Sequence, residues 1–164
     1  MIKGDEMRKV KLDSIDTKML NYIQINGKIS NIDLAKKVGL SPSPCLRRIK
    51  ALEKAGVIKR YVGIIDPKLA GLTVNGFVTV RLKNQGREAL REFEQHIQRY
   101  KEVMECHLMT GTADYFIRVV VQDFEKYEQF LIDKITTIAC VANIESSFSL
   151  KQIVYRTEIP VAID

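Results

Sequence analysis

The stretch NGKISNIDLAKKVGLSPSPCLRRIKALEKAG, residues 26–56, decides the fold of the N-terminal part of the chain. Gly27 interrupts whatever helix precedes it, and Ser30 with Asp33 three residues on is an N-cap with an acidic first-turn partner. Ile32, Leu34, Ala35 and Val38 then give a short second helix its apolar positions. Gly39 suits the left-handed residue that ends a helix, and Ser41-Pro42 opens a third, with proline at the first helical position where a missing N–H costs nothing. Upstream, LDSIDTKMLNYIQIN (12–26) sets Leu12, Ile15, Met19 and Ile23 on one face behind Asp13 as N-cap, which predicts helix one. Two short helices joined by a tight Gly-containing turn form a helix-turn-helix pattern, whose second helix enters the DNA major groove.

The third predicted helix, running to Gly56, carries the charge that such a role needs. At about 100° per residue, Cys45, Ile49 and Leu52 form a core stripe with Leu46 at its edge. The opposite face collects Ser43, Arg47, Lys50 and Lys54, with Arg48 on a flank. Residues 28–60 hold nine Lys and Arg against only Asp33 and Glu53, a surface matched to phosphate. After Gly56, VIKRYVGIID reads as a strand or small hairpin, a wing that would bring Lys59 and Arg60 beside the helices. Asp66-Pro67 and Gly71 then mark a hinge over residues 61–73, separating a DNA-binding domain at 1–60 from a second domain at 74–164.

Composition agrees with this division. The 164 residues are 46% hydrophobic and 28% charged, as a globular chain should be. The net charge of +6 is uneven: residues 1–66 carry +7 and residues 67–164 carry −1, as expected for a polyanion-binding module joined to a neutral one. No apolar run approaches the roughly 18 residues of a membrane span, and MIKGDEMRKVKLD lacks the features of a secretory signal, so a cytoplasmic protein with no membrane partner is expected. Cys45, Cys106 and Cys140 form no CxxC pair and, with only His96 and His107, supply no metal-site spacing. Cys106 beside His107 is a poor catalytic dyad, since neighbouring strand residues point to opposite faces.

The second domain alternates strands and helices. Strand VNGFVTVRL (74–82), helix REALREFEQHIQRY (87–100) and strand VMECHLMT (103–110) lead to a turn at GTA. Strand DYFIRVVV (114–121), helix FEKYEQFLIDKITT (124–137) and strand NIESSFSL (143–150) complete βαββαβ. This is the ferredoxin-like arrangement, an α+β fold with both helices on one face of a four-stranded antiparallel sheet. Reading the fourth strand as apolar on both sides predicts an uncovered sheet face that must be buried by self-association.

These residues resemble the Lrp/AsnC (leucine-responsive, feast/famine) family of bacterial and archaeal transcriptional regulators. LDSIDTKML, NGKIS, DLAKKVGLSPSPCLRRIKALEKAGVIKRY and DP are similar to its helix-turn-helix half, winged or plain, and ECHLMTGTADYFIRV and the final strand to its effector domain. The resemblance implies a DNA-binding transcriptional regulator that senses a small amino acid, needs no cofactor or metal, and assembles as homodimers into tetramers or octamers. It makes Ser41, Ser43, Arg47, Arg48 and Lys50 DNA contacts, and Gly111, Thr112, Ala113, Asp114 and Tyr115 part of an effector pocket between dimers. Where relatives carry Pro-Gly-Val before the last strand, this chain has Ala139-Cys140-Val141.

The GTAD turn has chemistry of its own, since a Gly turn offers backbone N–H groups to an α-carboxylate and Asp114 offers an acceptor to an α-ammonium. The plainer reading is a hairpin turn whose Asp merely starts a strand. Two other function classes compete. A ferredoxin-like enzyme would need a nucleophile with its base, a metal cluster or a phosphate loop, and neither GxGxxG nor GxxxxGK[ST] occurs. A metabolite-sensing module that docks protein through its helical half would not need the basic face on helix three.

Overall fold

The computed structural model describes residues 10–161, so residues 1–9 and 162–164, the outer ends of the two expected domains, lie outside the described residues. The chain forms two compact units. Among the described residues, one comprises 10–64 together with 154–161, and the other comprises Ile65–Ile153.

In the first unit, α1 spans Ser14–Ile25, α2 Asn31–Val38 and α3 Pro42–Lys54. Asp13 caps α1 reciprocally: its carboxylate accepts the N–H groups of Ile15 at 2.9 Å and Asp16 at 2.7 Å, while Asp16 accepts the Asp13 N–H. Ser30 caps α2 through the Asp33 N–H at 3.0 Å, and Gly39 ends it at φ 74°. Met19, Ile23, Leu34, Ala35, Val38 and Cys45 close a small core between the helices. Burial of each larger aliphatic side chain contributes roughly 1.5–3 kcal/mol. Cys45 has no exposed surface, and burial raises its thiol pKa, so it acts as a small apolar residue.

Two sequence expectations change here. The wing is not a paired strand: residues 59–65 have no β partner among the described residues and leave Tyr61, Val62, Ile64 and Ile65 exposed. The C-terminal segment from Val154, expected in the second domain, packs with the first unit. There the Gln24 side-chain amide mimics a strand neighbour, donating to the Ile159 carbonyl at 3.2 Å and accepting the Ile159 N–H at 2.8 Å.

The second unit contains β1 (Val74–Leu82), α4 (Arg87–Ile97), β2 (Val103–Leu108), β3 (Tyr115–Val121), α5 (Phe124–Phe130) and β4 (Val141–Phe148). The strands lie in the order β2-β3-β1-β4, all antiparallel. Alternation puts Val74, Val78, Val80 and Leu82 of β1 with Ile117 and Val119 of β3 into one core, closed by Phe93 and Ile97 of α4 and Tyr127 and Phe130 of α5. The helix expected to run to residue 137 changes character after Phe130, continuing as a π-helical turn over Leu131–Ile135. Cys140 is buried in the same core, and its carbonyl accepts the Lys83 N–H at 2.8 Å.

The uncovered sheet face is more polar than predicted. Pairing of Val78 with Ser146 and Val80 with Ile144 turns Ile144 and Phe148 toward the helices and leaves Asn143, Glu145 and Ser147 on the open side. The open face carries a stacked Phe77–Phe116 pair, with centroids 5.5 Å apart, and an Arg118–Glu105 ion pair at 2.7 Å.

Candidate nucleic-acid interface and ligand turn

The basic face of α3 owes its free charge to how nearby acids are used. Asp33 is bonded to the Ser30 hydroxyl at 2.6 Å, and Glu53 accepts the Tyr61 hydroxyl at 3.0 Å. Burial and that acceptor push the Tyr61 pKa up to about 12. Both carboxylates between residues 28 and 60 thus bond to neutral hydroxyls. Arg47, Lys50, Lys54, Lys59 and Arg60 are exposed and make no ion pair with any described residue. The start of α3 is equally available. Ser41 is its N-cap but caps nothing with its side chain, and Pro44 at the third helical position has no N–H to give it. The exposed Ser41 and Ser43 therefore stand at a helix N-terminus with unused donors, where an anion is favoured. The Asn31 amide, bonded to the Pro42 carbonyl at 2.9 Å, fixes the start of α3 against α2.

Arg48 is committed elsewhere. One of its guanidinium nitrogens lies 2.6 Å from Asp13 and 2.8 Å from Asp16, so it clamps α3 to the capping box of α1. The pair holds α3 against the start of α1. The Asp16 N–H first, then the Arg48 bond, hold the Asp13 carboxyl below its ordinary pKa. A carboxyl depressed in the folded state contributes stability above its unfolded pKa, about 3.9, and that contribution is lost as pH falls through the folded value. Arg48→Gln is therefore expected to cost roughly 1 kcal/mol at neutral pH, since the pair is part-exposed and screened. It should also weaken the acid dependence of α1 and α3 stability, and amide hydrogen exchange measured from pH 5 downward checks both effects. Equal acid dependence in the two forms would remove the clamp.

At the ligand turn, Gly111 adopts φ 119°, which only glycine accepts readily, and Gly111 and Thr112 are exposed. Asp114 is different. It is 7% exposed, and its carboxylate takes the Leu82 N–H at 2.7 Å on one oxygen and the Gln85 amide at 2.7 Å on the other. Its backbone N–H donates to the Val80 carbonyl and its carbonyl accepts the Met109 N–H. Tyr115 is also buried, with its ring 4.4 Å from Phe93 and its hydroxyl on Glu94 at 3.0 Å. Burial and Glu94 raise its pKa. Both side chains therefore hold the turn from behind, while Gly111, Thr112 and half-buried Ala113 present its outer surface. Arg81 also supports it, with two guanidinium nitrogens on the Thr112 carbonyl at 2.9 and 2.6 Å. Sequence reading missed Arg81 and Gln85 in this role. Arg81, the only charged residue of β1, was the available signal.

Compared with known proteins, residues 12–59 match a winged helix-turn-helix DNA-binding family and residues 75–159 an Lrp/AsnC ligand binding domain. The chain is 45% identical over 129 residues to a leucine-responsive regulatory protein of Haemophilus influenzae, covering 79% of this chain and 78% of that one. It is 41% identical over 151 residues to the Bkd operon transcriptional regulator of Pseudomonas aeruginosa, covering 92% and 99%. Among solved structures it is similar to a Neisseria meningitidis transcriptional regulator in complex with L-Met, with TM-score 0.87 and 34% identity over 91% of this chain and 96% of that one. An AsnC family regulator from Agrobacterium tumefaciens gives TM-score 0.86 and 39% identity, covering 91% and 97%.

Proposed function

Because the chain belongs to the Lrp/AsnC family of transcriptional regulators, we propose that it is a DNA-binding regulator whose duplex affinity and assembly respond to a small amino acid. The observation that carries this reading is the exposed basic face of α3, where Arg47, Lys50 and Lys54 make no ion pair with any described residue. Ser41, Ser43, Arg47, Lys50 and Lys54 are assigned to duplex DNA, with Lys59 and Arg60 on flanking phosphates. The role is regulatory rather than catalytic. Among the described residues no helix is long and apolar enough to cross a membrane, and a protein that binds chromosomal DNA belongs in the cytoplasm.

The amino acid is assigned to the turn at 111–113. Exposed backbone N–H groups there face the α-carboxylate, and Asp114 and Tyr115 position the turn instead of touching the ligand. The L-Met bound to the neisserial relative supports this ligand class. A homodimer is expected to bury the open sheet face with its Phe77–Phe116 stack, and dimers are expected to join so that a neighbour completes the site.

Fluorescence anisotropy on operator and random duplexes across a salt series tests the DNA assignment. Lys50→Ala is expected to weaken all sequences alike and to reduce the salt slope by about 1, as one lost phosphate contact should. Arg47→Ala is expected to cost roughly 1–3 kcal/mol on the operator and to relax specificity there. Wild-type affinity and slope in both variants would take α3 out of the groove.

A further inference from the structure

Arg81 grips the Thr112–Ala113 peptide from one side. It projects from the open face of the sheet at the exposed position of β1, and its Nε and Nη2 both donate to the Thr112 carbonyl, at 2.9 and 2.6 Å. Two N–H groups of one rigid fork on a single oxygen fix the direction of that carbonyl as well as its position. In a planar trans peptide the C=O and the following N–H point to opposite sides, and no described peptide bond is cis. The Ala113 N–H is thereby turned away from Arg81. It makes no hydrogen bond to any described residue, and neither do the N–H groups of Gly111 and Thr112.

The charge on Arg81 has no counter-ion. It makes no ion pair with any described residue, so a full positive charge falls on a neutral carbonyl. A cation on an amide oxygen polarises the group and strengthens the N–H on its far side as a donor. The same charge opposes a negative one. Asp114, next to Ala113, has its two carboxylate oxygens on neutral donors, the Leu82 N–H and the Gln85 amide. Left alone, that carboxylate would repel an anion brought to the turn.

We propose that Arg81 is a positioning residue that makes the turn select ligands bearing a carboxylate. It aims the Ala113 N–H at the ligand's carboxylate and offsets the repulsion from Asp114, without touching the ligand itself. This role rests on the assignment of the amino acid to 111–113 and names the residue that sets the charge preference there.

Calorimetry on the full-length protein, with L-Met and then each other proteinogenic amino acid, identifies the tightest binder, whose carboxamide is measured next. Amide NMR at 111–113 places the binding. Wild type is expected to prefer the acid to its carboxamide by about tenfold, as one hydrogen bond to a charged group should give. Arg81→Met keeps the aliphatic stem but removes donors and charge. It should weaken the acid by about tenfold and the carboxamide by no more than about threefold, so that the preference collapses. Arg81→Lys keeps the charge and one donor and should restore most of the preference, which keeps the role testable if the Met variant folds poorly. A side chain that merely braced the loop would weaken both ligands alike. Equal loss of both ligands, a wild type indifferent to the carboxylate, or undiminished preference in a folded Arg81→Met protein would overturn the role of Arg81; with shifts at 111–113 present, the turn would remain the ligand site. Binding without shifts at 111–113, or no binding of any amino acid, would refute the turn assignment and this role with it.

Discussion

Replacing Asp114 by Ala is expected to lower the stability of the second unit by about 3 kcal/mol. The carboxylate accepts two hydrogen bonds, from the Leu82 N–H and the Gln85 amide, inside a side-chain site that is almost fully buried. Removing it leaves the Leu82 N–H at the end of β1 without its partner and frees the 83–86 loop. Asp114→Asn should cost less, about 1 kcal/mol, because the Asn oxygen still accepts from Leu82 while Gln85 can turn its own oxygen toward the new NH2. Denaturant unfolding that ranks wild type above Asn and Asn above Ala would confirm the positioning role. An Asn variant of wild-type stability that no longer binds any amino acid would show the opposite, namely that the carboxylate serves the ligand directly.

Gly76→Val is expected to be comparably damaging, at about 3 kcal/mol, for a steric reason. A Cβ at Gly76 would lie 2.7 Å from Cε2 and 3.3 Å from Cζ of Tyr127, with the Phe148 ring at 3.4 Å. Tyr127 cannot swing away cheaply. It is 4% exposed, its hydroxyl bonds Ser146 at 2.8 Å, and its ring meets Phe148 edge-on at 4.8 Å. Gly76 therefore sits at β1 because the α5 tyrosine rests on its backbone, although glycine is a poor strand former. A Tyr127→Leu background should recover a good part of the loss. Additive costs in the double-mutant cycle would show that the two positions do not touch.

Much of the architecture could be read from the sequence because its signals are local. The Asp13 and Ser30 caps, Gly39 and the alternation of β1 and β3 each state their structure within a few residues, and all are present. What escaped reading depends on distant partners. Arg47 and Arg48 are adjacent and chemically alike, and only Asp13 and Asp16, more than thirty residues away, separate an available cation from a structural clamp. Asp114 and Tyr115 lie beside Gly111 in sequence, yet β1 and α4 draw their side chains inward. The helical period of FEKYEQFLIDKITT is compatible with either an α-helix or a π-turn, so the change after Phe130 leaves no mark in the pattern. The segment from Val154 is anchored by Gln24 of α1, a partner more than a hundred residues away.

That anchor has a consequence for biosynthesis. The three helices can condense as soon as their own residues clear the ribosome, but the segment that meets Gln24 is translated only after the whole intervening unit has been made. At roughly 5–20 residues per second, the gap of about a hundred residues amounts to several seconds. During that interval the nascent helical unit exists without its final strap. A message cut short before codon 154 would yield the three helices with their basic face but without the segment that meets Gln24.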